Sequence, residues 1–97
     1  MVIVNQNRDE IINFEKMNNI YVSKSGEVRA CANMEDCVYV LGKYESEERV
    51  KEVLKGIYSS YSLEQIFKRA DRDIQDQIAK KYEDAGIILF VFQMPEK

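Results

Sequence analysis

The spacing of apolar residues changes period twice along this chain, and that confines it to a mixed α and β architecture. Up to Tyr44 the apolar residues come in short runs between polar turns. From Ser46 to Ala85 they recur at helical spacing, and from Ile87 they form a strand-sized block again. With 97 residues, the chain can bury one core but not two, so a single domain over residues 1–97 is expected. The longest apolar run, Ile87 to Phe92, is far short of the roughly 18 residues of a membrane helix. No basic flank precedes an apolar stretch at the N-terminus, so no secretory signal is expected.

The strands follow from alternation and turn chemistry. Val2-Ile3-Val4 is one, Ile11, Ile12 and Phe14 suggest a second, and Met17-Asn18-Asn19 is expected to break it, because asparagine tolerates tight-turn geometry. Ile20-Tyr21-Val22 resumes extended structure, and Ser25-Gly26 turns it into Val28, Ala30 and Ala32. A two-residue loop would set Val22 against Arg29. A three-residue loop, Lys24 to Gly26, pairs Val22 with Val28 and Ile20 with Ala30, with Gly26 left-handed. The second register keeps apolar residues on one face and is preferred. Met34, Glu35 and Asp36 connect to Cys37 through Leu41, a stretch apolar on both faces that suits a central strand. Ile87 to Met94 is expected to be the last strand, buried at the sheet centre and ended by Pro95.

The helical stretch opens with Ser46 as N-cap and Glu47 and Glu48 at the positive helix end. Val50, Val53, Leu54, Ile57, Tyr58 and Tyr61 form its stripe, with Gly56 off it. Ser62 and Gln65 make a capping box that predicts a second helix from Ser62 to Ala85, with Gly86 as the residue beyond its end. At 1.5 Å per residue that helix would span about 36 Å, longer than the roughly 32 Å diameter of a compact domain this size. Either the chain bends near Asp71-Arg72-Asp73, with Asp73 capping a third helix, or the distal half packs on a partner subunit.

Composition narrows the chemistry. The chain has no histidine, which removes Ser-His and Cys-His nucleophile pairs, histidine bases and histidine metal ligands. Cys31 and Cys37 have the wrong spacing for a C-x-x-C site and read as reduced, packed cysteines in a cytoplasmic setting. Asp71, Asp73 and Asp76 fail as a calcium loop, because Asp76 and Tyr82 stand where glycine and glutamate are required. The adjacent Glu47 and Glu48 point in different directions on a helix and do not form a catalytic pair. No phosphate loop or nucleophile elbow occurs, and no cofactor or metal is implied. The net charge of −3 disfavours nucleic acid as a partner, and Lys68, Arg69 and Arg72 offer only a patch interrupted by Asp71 and Asp73.

The segment Leu41-Gly42-Lys43-Tyr44-Glu45-Ser46-Glu47-Glu48-Arg49-Val50-Lys51-Glu52-Val53-Leu54 resembles small uncharacterised proteins of Gram-positive bacteria and their phages. In these a strand ending Leu-Gly-x-Tyr leads into a capped helix of the type Thr/Ser-Glu-Glu-Arg-Ala-x-Glu-Val-Leu. The opening Val2-Ile3-Val4 and Ile11-Ile12-Asn13-Phe14 are similar to their start. The likeness covers about the first sixty residues and departs at Val50, where the pattern has alanine. It implies a phage-associated protein and carries no catalytic residue.

The expected fold is therefore α+β: a curled antiparallel sheet of about five or six strands, two or three helices, and a C-terminal strand returning to the sheet. A half-barrel resembling the pleckstrin-homology type is the alternative. Two helices cannot cover both faces of such a sheet, so surplus apolar surface must meet something. The expected function is a cytoplasmic, non-enzymatic protein-interaction module that self-associates as a homodimer, with Ile88, Phe90, Phe92, Ile74, Ile78 and Tyr82 as contact residues. The alternatives are nucleic-acid binding through Lys68, Arg69 and Arg72, and a ligand or substrate pocket between sheet and helices.

Overall fold

Gly26 sets the register of the central hairpin. In the computed structural model, which describes residues 1–32 and 37–97, Gly26 has φ 84° and Val22 pairs with Val28, Ile20 with Ala30. The Gly26 N–H donates to the Ser23 carbonyl at 3.1 Å, closing the three-residue loop. A side chain could not stand here, because its Cβ would lie 2.8 Å from the Tyr44 carbonyl oxygen.

Among the described residues the order is β1 (Val2–Val4), β2 (Ile11–Asn13), a 3-10 turn (Phe14–Lys16), β3 (Met17–Val22), β4 (Glu27–Ala32), β5 (Val38–Lys43), α1 (Glu47–Arg69), α2 (Arg72–Asp84) and β6 (Val91–Gln93). The fold is α+β, and its C-terminal strand returns to pair with β1. The strands divide into two three-stranded sheets, β2-β1-β6 and β3-β4-β5, rather than one curled sheet or half-barrel. The β1–β6 pairing is parallel, whereas every other pairing is antiparallel. Gln6 joins the sheets. Its N–H donates to Leu41 O at 2.7 Å, and its side-chain amide accepts from Lys43 N–H at 2.8 Å and donates to Lys43 O at 3.1 Å. One glutamine thus pairs with the outer edge of β5.

That arrangement corrects two expectations. β5 is an edge strand and β4 the centre, and the outward-facing Val38 and Val40 stay half-exposed. The last strand is only three residues long and also lies at an edge, because β1 offers only three residues to pair with. Ile87 and Ile88 precede it in solvent, 53% and 66% exposed, and Phe90 interrupts extended geometry with φ 63°. This terminal block is not a buried ribbon. The proposed connection through Met34, Glu35 and Asp36 lies outside the described residues.

The helices resolve the length problem with a hairpin. α1 runs unbroken through Ser62, so the Ser62–Gln65 box does not form, and the stripe of Val50, Val53 and Ile57 continues to Tyr61 and Glu64. Ser46 caps α1 as expected, accepting the Arg49 N–H at 3.1 Å. The break falls at Ala70 and Asp71, both extended, and the cap of α2 is Asp71, not Asp73: its Oδ1 accepts the Ile74 N–H at 3.0 Å. Across the break Gln75 donates to the Phe67 carbonyl at 2.8 Å, which also accepts the Ala70 N–H at 3.2 Å. At the far end Ile87 N–H reaches Tyr82 O and Gly86 N–H reaches Glu83 O, the paired bonds of a Schellman stop. α2 folds back so that Tyr82 lies beside Ser60 and Leu63, yet it buries no residue fully. The molecule measures 44 × 29 × 23 Å along its principal axes, and the 23 residues of α1 are about 35 Å long.

The core lies between the two sheets' inner faces and α1. Ile3, Val28, Ala30, Leu41, Val53 and Met94 are each 1% exposed or less. Gly56 has a packing role: the Phe92 ring of β6 lies 3.1 Å from where its Cβ would be. The helix accepts a residue of poor propensity there because β6 packs against its backbone.

Candidate protein-interaction site

α1 presents three faces. Val50, Val53, Ile57 and Glu64 point into the core. Gly56 meets Phe92, and Ser60, Leu63 and Phe67 face the region of α2 and the β6 approach. The third face, Leu54, Tyr58 and Tyr61, turns toward β3 and leaves a groove. Its cavity of about 260 Å³ is lined from the other side by Phe14, Met17, Asn18, Asn19 and Ile20. Phe14 and Tyr61 form one wall, with ring centroids 5.0 Å apart and planes tilted by 47°. Tyr58 stands over the opening, 71% exposed.

The strand beside this groove is an unprotected edge. Among the described residues β3 pairs with β4 alone. Ser23 N–H donates to Glu27 O, so alternation makes Val22↔Val28 and Ile20↔Ala30 the non-hydrogen-bonded pairs. The amides and carbonyls of Val22 and Ile20 therefore point away from the sheet. Edge strands are normally blunted by charge, proline or shortness. β3 has six residues, Met-Asn-Asn-Ile-Tyr-Val, with no charge and no proline. Its one irregularity is a bulge at Asn18. Of the other edges, β5 is paired to Gln6, and β2 and β6 have three residues each. Met17-Asn18-Asn19, expected to break the chain, is thus the first half of this edge. The run of six uncharged residues was the available signal.

A second feature lies one turn further along α1 from Tyr61. Glu64 is 2% exposed, with Oε2 2.7 Å from the α-ammonium of Met1 and Oε1 3.0 Å from Lys68 Nζ. Among the described residues the ammonium is the sole partner of that buried Oε2. Burial pushes the carboxyl up, but the hydrogen bonds from the ammonium and Lys68 outweigh it and hold the group below its ordinary range. Lys68 also reaches Glu15 at 3.1 Å, and both carboxylates raise its pKa. This network is an internal ion cluster in which the buried carboxylate faces one ammonium and one lysine.

The residues expected from sequence to mediate contact are dispersed. Ile88 and Ile74 are exposed, at 66% and 46%. Ile78 and Tyr82 are half-buried on the stripe of α2 that also carries Gln75 and Ala79. Phe90 stacks edge-on against Phe67 at 5.0 Å, and Phe92 packs on Gly56. Of the basic candidates, Lys68 is held by Glu64 and Glu15, while Arg69 and Arg72 flank the helix break in solvent. Cys31 opposes Val38, so Cys37 points to the opposite face, and both thiols are free. Among the described residues no three His, Cys, Asp or Glu side chains converge to hold a metal, and no helix is long and apolar enough to cross a membrane. No family model, curated protein or solved structure matches the chain.

Proposed function

We propose that this chain is a cytoplasmic, non-enzymatic protein-interaction module that takes an extended segment of its partner as a fourth strand on β3. The observation that carries this reading is the free six-residue edge of β3 lying beside an apolar groove. Strand addition supplies main-chain hydrogen bonds, and the adjacent groove receives alternate side chains. The likeness of the Leu41–Leu54 segment to small phage-associated proteins is compatible with this role. The test is selection of a displayed random heptapeptide library on the purified protein and on Val22→Pro, which removes an outward N–H at a 38% exposed edge position. Enrichment on the wild type that is lost on Val22→Pro is expected. Equal enrichment on both proteins refutes strand addition.

Self-association is the second reading, favoured by exposed aliphatic side chains on and near the helical hairpin: Ile66, Ile74, Ile87 and Ile88. Light scattering at micromolar concentration decides it, since an 11.4 kDa particle would be a monomer.

A further inference from the structure

The groove's surroundings carry charge as well as shape. Leu54 and Tyr58 line it from α1, and Lys51 and Lys55 lie one turn before each on the same side of the helix. Both lysines are exposed. Among the described residues neither has a carboxylate within ion-pair distance, although Glu47 and Glu48 lie one turn before Lys51, and Glu52, held by Arg49 at 2.9 Å, lies one turn before Lys55. Lysines four residues apart on a helix repel each other. An acidic group above the groove would relieve that repulsion.

We propose that the segment taken up on β3 is an acidic extended peptide: one large apolar side chain enters the Leu54–Tyr61 cavity, and a carboxylate two residues away, on the side toward the start of α1, meets Lys51 and Lys55. This rests on the strand-addition reading above and specifies its partner. In an added strand, residues two apart share a face and lie about 7 Å apart, so an acid-x-apolar pair reaches from the cavity to the lysines, and the symmetric acid-x-apolar-x-acid pattern does so in either strand direction. The cavity of about 260 Å³ has room for one aromatic side chain. The six residues of β3 span about 20 Å, which matches a peptide of that length.

The probes are two capped heptapeptides, Thr-Glu-Thr-Phe-Thr-Glu-Thr and Thr-Lys-Thr-Phe-Thr-Lys-Thr, titrated into the ¹⁵N-labelled protein at low salt. Amide shifts of Ile20 and Val22 report binding. The glutamate peptide should bind about tenfold more tightly, and the preference should collapse at high salt and in the Lys51→Gln, Lys55→Gln double variant. Equal binding of both peptides with β3 shifts overturns the acidic preference and leaves strand addition standing. A preference that survives in the double variant assigns it to other charges and also overturns the proposal. If neither peptide moves β3 amides, strand addition and the inference built on it both fall.

Discussion

Replacing Glu64 by leucine should cost about 3 kcal/mol of folding stability, a large share of the roughly 5–15 kcal/mol that a domain of this kind has. The carboxylate is 2% exposed and sits 2.7 Å from an α-ammonium whose residue is also buried. Removing one member of a buried pair leaves the other charged and unsolvated, which costs about 3–5 kcal/mol. The low end applies here because the ammonium keeps Glu15 at 4.0 Å and Lys68, at 52% exposure, opens one side of the network to water. Glu64→Gln should cost less, since its amide oxygen still accepts one hydrogen bond. The pH dependence gives a second readout. The folded-state pKa of Glu64 lies below its ordinary value of 4.5. Its stabilisation is complete above the unfolded value and is lost as pH falls through the folded one. Glu64→Gln should therefore lose less stability than the wild type over that acid range. Urea unfolding followed by circular dichroism, repeated between neutral pH and about pH 3, measures both effects. A Glu64→Leu protein within about 1 kcal/mol of wild type at neutral pH would refute the reasoning, as would an acid limb in Glu64→Gln equal to that of the wild type.

Gly26→Ala should destabilise by about 2 kcal/mol in the same assay, because φ 84° is strained for alanine and its Cβ would lie 2.8 Å from the Tyr44 carbonyl oxygen. Gly56→Ala should forfeit most of the roughly 1 kcal/mol that helix propensity offers, because the Phe92 ring lies 3.1 Å from the new methyl group. In a Phe92→Leu background that gain should reappear, and a double-mutant cycle without coupling would contradict the contact. Asp71→Ala should cost about 1 kcal/mol through loss of the α2 cap and reduce helical ellipticity, whereas Asp73→Ala should change little. Gentle oxidation should form no disulfide between Cys31 and Cys37 of one chain, as peptide mapping would show, since the two point to opposite faces of their hairpin.

How legible each element was depended on the range of the interactions that define it. The Gly26 loop and its register were readable because one backbone conformation and one alternation pattern allow a single solution. The same holds for Ser46 and for Gly86, whose roles are settled within four or five residues. The Ser62–Gln65 box is an equally good local signal, yet α1 passes through it. The stripe from Val50 to Glu64 gains more by staying on the core than a cap there would return. The stop near Asp71 was foreshadowed by an unbroken helix being too long for its domain, although the capping residue proved to be two positions earlier.

The candidate groove was less visible. Nothing in Met-Asn-Asn-Ile-Tyr-Val states whether its second edge is paired, because edge status is a property of strand order, and strand order joins residues far apart in the chain. Glu64 looked like one more polar helix residue until the fold brought Met1 beside it. The Ile87–Phe92 block misled for a related reason: apolar content records what a segment can bury, not how many partners the neighbouring strand has left to offer. Local conformation was written into single residues and short patterns, where sterics and capping act over a turn or less. Which edges remain open, and which charges end up sealed together, emerged once distant segments competed for the same few backbone partners and the same dry volume.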